Sequence, residues 1–205
     1  MNIHSYQKQI SELLIQDNGL TSKGKPKKVY FPGVYIISRN LGYNLFKLGE
    51  SHGGLYDRVI GQYKICMPLK SEFFLRYLVI AHRKKEGNLH YSQVLERALL
   101  AAIDSRVVDS YSKEYIFTPD IAELEYRMGT ILNTHSKYTL MALKFTPAGF
   151  RLWDPTQGFN GPAMSFQELP NLNPAVSALL TLRKPPIKKP KKRIVYYLPK
   201  KRAAF

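Results

Sequence analysis

One cysteine, Cys66, stands in a chain of 205 residues. A single thiol excludes an intramolecular disulfide and any cysteine-based zinc site, and it fits a reducing compartment. Long apolar runs are also missing. No stretch of about 18 apolar residues occurs, so no membrane-spanning helix is expected. The opening segment MNIHSYQKQISELLIQDNG has no apolar core of signal-peptide length. These absences predict a soluble, intracellular chain; the nucleus and a virus particle both stay open as its setting. The histidines His82, His90 and His135 are scattered, with no pair at metal-ligand spacing. Gly53-Gly54 is followed by no Gly-Lys-Ser/Thr, which excludes a phosphate loop of the P-loop kind.

Acidic side chains are scarce. Fifteen Asp and Glu face 31 Lys and Arg, which gives a net charge of +16. Such an excess favours anionic partners, nucleic acid first and an acidic protein or membrane surface second. The charge is uneven, since residues 183–202 hold ten of the cations and no acid. The candidate contacts there are Lys188, Lys189, Lys191, Lys192, Arg193, Lys200, Lys201 and Arg202. A smaller cluster in TSKGKPKK supplies Lys25, Lys27 and Lys28. The tail has three readings: a nucleic-acid arm, a nuclear localisation signal in KKPKKR, or an extended arm ordered by a protein partner. Its proline interruptions and charge predict that it does not fold alone.

What remains is 44% apolar, enough for a globular core. Tyr6, Ile10, Leu13 and Leu14 recur at helical spacing and predict a short leading helix that ends near Gly19. A basic linker follows. VYFPGVYIIS and YNLFKLG, on either side of RNLGYN, predict a β-hairpin. Leu55, Val59, Ile60 and Tyr63 mark a helix that starts after Gly53-Gly54 and carries Arg58 in its first turns. FFLRYLVIAH is a continuous apolar run suited to a central strand. Ser92 is the expected cap of a helix with Val94, Leu95, Ala98, Leu99, Ala102 and Ile103 on one face and Glu96 beside it. Thr118-Pro119 predicts the start of another helix, and YTLMALKFTPAGFRLW a hairpin turned at TPAG. Residues beyond Asp154 read as loop.

The expected fold is α+β: a small mixed or antiparallel sheet flanked by helices, with a C-terminal β-hairpin and an extended basic tail. The segments are an N-terminal helix and basic linker (1–29), a core (30–117), a helix and hairpin extension (118–160), and an irregular segment with the tail (161–205). Within the core, Tyr35, Arg58 and Glu96 fall on consecutive elements around one sheet. A phenol can take a proton from water when cations lower its pKa. An arginine fork matches phosphate oxygens. A lone carboxylate can hold one hydrated divalent cation, typically Mg2+. Together they suit phosphodiester hydrolysis.

At these residues the chain resembles the GIY-YIG nuclease family. PGVYII matches its first motif, with Gly33-Val34-Tyr35 in the GIY place, and FKLG, ending at Gly49, matches the second. LYDR resembles the arginine helix and VLERALL the glutamate helix. SKEYI is similar to the ending of the branch whose second motif reads Lys-Ile-Gly. The resemblance covers about residues 30–117 and points to a viral or mobile-element member. It implies Tyr35, Lys47, Arg58 and Glu96 as catalytic residues, with Glu96 as the ligand of Mg2+. Two positions depart from the pattern: Lys47 stands where the second motif has tyrosine, and Glu50 follows Gly49 where a basic or small polar residue is common. An acid there would repel a polyanion. The function implied is a divalent-metal-dependent DNA endonuclease. The alternative is a structural component of a large assembly, such as a minor capsid protein or nucleoprotein component, that reuses the fold and tethers through its basic tail.

Overall fold

The computed structural model describes residues 2, 5–20, 22–38, 45–65, 74–103, 115–117 and 120–181. In chain order, helix α1 (Gln7–Leu14) runs into β1 (Ile15–Leu20), which pairs antiparallel with β2 (Pro26–Tyr30) as a separate ribbon. β3 (Gly33–Ser38) and β4 (Leu45–Ser51) form the next antiparallel pair, and α2 (Leu55–Ile65) follows. After β5 (Phe74–Ala81), the two-residue strands β6 (Lys85–Glu86) and β7 (Leu89–His90) turn at Gly87, and α3 (Tyr91–Ala102) begins at once. Then come β8 (Tyr115–Phe117), α4 (Ile121–Thr134), β9 (Thr139–Thr146), β10 (Gly149–Leu152), a 3-10 turn over Phe166–Leu172, and α5 (Asn173–Thr181).

Six of these strands make one antiparallel sheet in the order β10-β9-β5-β3-β4-β8. The hairpin of β9 and β10 is therefore part of the central sheet, because β9 pairs with β5 along Tyr77 to Ala81. All of β3 is buried, which is why GVYIIS reads as a continuous apolar run: a strand covered on both faces has no solvent side. Side chains alternate between two layers. Tyr35, Ile37, Leu78 and Ile80 pack with Leu55, Val59 and Ile60 of α2, with α1, and with Phe166, Leu169 and Val176. Val34, Ile36, Phe46, Leu48 and Val79 pack with Leu95 and Leu99 of α3 and with Leu124, Met128 and Leu132 of α4. Each fully buried large side chain contributes roughly 1.5–3 kcal/mol of transfer free energy.

Several elements differ from the sequence reading. The leading helix stops at Leu14 rather than near Gly19, because Ile15–Leu20 is drawn into pairing with β2. The basic linker is thereby half strand, with Lys27 and Lys28 in β2. The N-cap of α3 is His90, whose N–H donates to Gln93 Oε1 at 3.0 Å, and Ser92 is a buried residue of the first turn. Helix α4 is capped by Asp120, whose carboxylate accepts from the Ala122 N–H at 2.8 Å; Thr118 and Pro119 lie outside the described residues. The segment after Asp154 is not all loop. Ser165 and Glu168 form a capping box at the 3-10 turn. Asn173 Nδ2 then reaches the carbonyls of Glu12, Leu13 and Ile15 at 2.8, 2.9 and 3.1 Å. It supplies donors to the last carbonyls of α1, which have no partner within the helix.

Candidate functional site

The register of the β3/β4 hairpin decides which side chains share a face. Tyr35 stands opposite Gly49 and Ile37 opposite Lys47, with no bulge between them. Tyr35, Lys47 and Gly49 therefore point to the α2 side of the sheet, whereas Phe46 and Leu48 point to the α3 side. The ring of Tyr35 lies across Gly49: a Cβ there would come within 2.6 Å of Tyr35 Cζ. The ring of Tyr35 thus requires a glycine at position 49. Tyr35 is only 1% exposed. Lys47 is half-buried.

Arg58 sits in the first turn of α2, one residue before the buried Val59, and is exposed. Its helix covers the Tyr35 face. Glu96 is placed differently. It is half-buried on α3, between Leu95 and Leu99, which pack into the opposite layer. The structure gathers Tyr35, Lys47 and the Arg58 helix on one side of the sheet and seats Glu96 on a helix of the other. Glu50 also lies away from Lys47. As the odd-numbered residues of β4 face α2, Glu50 faces the α3 side, opposite Val34 in the register. The expectation of an acid crowding the phosphate face is corrected by this alternation.

On its own side, Glu50 Oε1 lies 3.4 Å from His52 Nδ1, and its Oε2 is buried with no hydrogen-bond partner. The His52 ring stacks on His90 with centroids 4.5 Å apart and planes 17° off parallel. His82 joins them at the wall of one cavity. Of the histidines that look scattered in sequence, His82 and His90 are gathered here with His52 by the β4 to α2 turn, the end of β5 and the start of α3, and His135 is not. Desolvation first, then Lys85 and His52, lower the pKa of His90, and Glu50 opposes that shift. Nothing in local spacing signals this cluster, because its members meet only through tertiary packing.

The α3/α4 layer holds a second polar feature that sequence reasoning missed. Tyr77 donates to Glu125 Oε1 at 2.7 Å, and the same carboxylate is paired with Lys144. Tyr77 and Lys144 are register partners on β5 and β9, so the sheet presents phenol and ammonium side by side to one residue of α4. Burial first and the charge of Glu125 second push the Tyr77 pKa far above its ordinary value. Nearby, Trp153 packs over Gly129 and edge-on to Phe159, beside the 77%-exposed Tyr126.

Of the basic residues, Lys25 and Lys28 are exposed at the β1/β2 ribbon, and Lys27 is within β2. Lys188, Lys189, Lys191, Lys192, Arg193, Lys200, Lys201 and Arg202 lie outside the described residues. Among the described residues, no three His, Cys, Asp or Glu side chains gather as a metal cage, and no helix is long and apolar enough to cross a membrane. No protein-family model, curated protein or solved structure matches the chain.

Proposed function

We propose that the chain is a GIY-YIG-like, divalent-metal-dependent DNA endonuclease. The observation that carries this reading is the hairpin register, which puts Tyr35 and Lys47 on one face with Gly49 fitted to the tyrosine ring and the Arg58 helix across them. In this reading Tyr35 takes a proton from the attacking water. Lys47 and Arg58 hold the phosphate and the charge that develops on it, Arg58 through its planar fork. Glu96 is the protein ligand of Mg2+. A single carboxylate suits a hydrated cation that completes its shell with water and substrate phosphate. When bound, the cation lowers the pKa of water and neutralises phosphate charge. The basic segments would engage the DNA backbone, so binding should weaken steeply with salt.

The test is nicking of supercoiled plasmid in Mg2+ by the purified full chain. Arg58→Ala and Lys47→Ala should each slow nicking by about 10²-fold or more, and Glu96→Ala should remove the dependence on metal concentration. Failure of the wild-type chain to cut supercoiled, linear or branched DNA in either Mg2+ or Mn2+ would sink the enzyme reading.

A second reading is favoured by two observations: Tyr35 is sealed in the core, and Glu96 belongs to the layer behind it. Here the same fold is a non-catalytic component of a large assembly, a minor capsid protein or nucleoprotein component, tethered through its basic tail. Deleting residues 183–205 should then abolish retention in that assembly while leaving the folded body intact. Retention that survives the deletion unchanged rules this reading out.

A further inference from the structure

The polar side chains lining the cavity beside the His52 and His90 stack come from four segments and include Lys28 of β2, His52 after β4, His82 and Arg83 after β5, and His90 and Ser92 at the start of α3. It is a half-open cavity of about 480 Å³, within the range of small-ligand sites. Two of these side chains are cations and three are imidazoles, and among the described residues the lining holds no carboxylate. The acid in contact with it is Glu50, through His52. Arg83 is held in place by donating to the Tyr30 carbonyl.

Two helices begin at this cavity. Gly53 lines it just before α2, which runs for 11 residues, and His90 and Ser92 line it at the start of α3, which runs for 12. Both bring the positive end of a helix dipole to the same space. A further observation is independent of the dipoles. Ser92 is 1% exposed, and its Oγ is buried with no hydrogen-bond partner. A hydroxyl stripped of water and left without a partner carries a desolvation penalty that a ligand oxygen can remove.

We propose that this cavity is a phosphate-binding pocket that accepts a phosphate monoester. Lys28 and Arg83 supply fixed charge, the two helix starts supply oriented dipoles, and His52, His82 and His90 supply N–H donors. Ser92 supplies a hydroxyl donor. Donors converging from four segments match the several oxygens of a tetrahedral anion better than the two of a carboxylate. The pocket is distinct from the Tyr35, Lys47 and Arg58 face, and the proposal stands whether or not that face cleaves DNA. The phosphate could belong to the end of a nucleic-acid strand or to a free phosphate compound, and the two sources are separable.

Imidazole NMR of the full chain, labelled with ¹⁵N in its histidines, tests the pocket without reference to cleavage. Inorganic phosphate, a 5′-phosphorylated oligonucleotide and its 5′-hydroxyl counterpart are added in turn at fixed salt. The expected result is a saturable shift of His52, His82 and His90, with His135 unmoved as an internal control. Ser92→Ala and Lys28→Gln should each weaken that binding by about tenfold, with the circular dichroism spectrum unchanged. A clear preference for the phosphorylated over the hydroxyl oligonucleotide on these resonances assigns a nucleic-acid end, and equal response to inorganic phosphate assigns a free phosphate compound. Two results overturn the proposal: no shift of the three histidines through the millimolar range of phosphate, or shifts of the same midpoint in both variants.

Discussion

The two faces of the sheet solve the burial of a tyrosine in opposite ways. On the α2 side, Tyr35 is accommodated by shape, with a glycine removed of any side chain beneath its ring. On the α3/α4 side, Tyr77 is accommodated by pairing, its hydroxyl donating to a carboxylate that a lysine also holds. The difference teaches where each face is vulnerable. The first fails when volume is added, since a close-packed core has no room to yield. The second fails when a partner is removed, since the groups left behind stay buried without one.

The largest expected effect is on the first face. A Cβ at Gly33 would overlap the Val79 carbonyl oxygen and come within 2.7 Å of Leu55 Cδ1. Backbone of the neighbouring strand cannot swing aside, so Gly33→Ala should cost about 3 kcal/mol or more in urea unfolding. Gly49→Ala should cost roughly 1–3 kcal/mol, because Tyr35 must shift its ring. A neutral Gly49→Ala would show that Tyr35 has space to move, and the contrast between the faces would collapse.

On the second face, Glu125→Ala strips both Tyr77 and Lys144 of their shared acceptor and should cost about 2–3 kcal/mol. Tyr77→Phe leaves the Glu125 and Lys144 pair intact and should cost only about 1 kcal/mol. If the two variants lose equal stability by chemical denaturation, the lysine is not part of the network.

Alkaline pH sharpens the same contrast. The folded chain holds the Tyr77 proton more tightly than the unfolded chain, whose phenol titrates near its ordinary value of 10.0. The contribution is complete below about pH 10 and falls as pH rises beyond it. Wild type should therefore lose stability there more steeply than Tyr77→Phe, and parallel alkaline profiles would contradict the pairing.

The smallest effect is acidic. The Asp154 carboxylate accepts from the hydroxyl and N–H of Thr156 and the N–H of Gln157, which hold its pKa below the usual carboxylate range. Its contribution is present above the unfolded value near 3.8 and lost as pH falls through the lower folded value. Trp153 fluorescence should report a local loosening of this turn before global acid unfolding, and Asp154→Asn should remove the acid dependence.

Much of the sheet is legible in the sequence because its central strands carry continuous apolar runs and its helices carry clear stripes. The strand Ile15–Leu20 is not, since IQDNGL has no alternation and is held by pairing with β2 rather than by its own pattern. The turn and helix over residues 166–181 carried a readable signal, Ser165 with Glu168 three residues on, that Pro170 and the surrounding polar residues obscured. The same split holds for the candidate site. Period two places Tyr35 with Lys47, and it also places Glu50 on the other face, three residues beyond Lys47. Which layer a helix joins is a tertiary outcome, so neither the seat of Glu96 nor the meeting of His52, His82 and His90 can be read from spacing.

Asn173 ties the end of α1 to a segment about 160 positions later in the chain. Synthesis from the N-terminus therefore leaves the part of α1 that meets Phe166 and Leu169 uncovered until the strands of the sheet have left the ribosome. Contacts of such separation close late and slowly. A nascent chain carries that apolar surface exposed until residues 166–173 emerge, which makes the α1 layer the place where chaperone dependence and aggregation would begin.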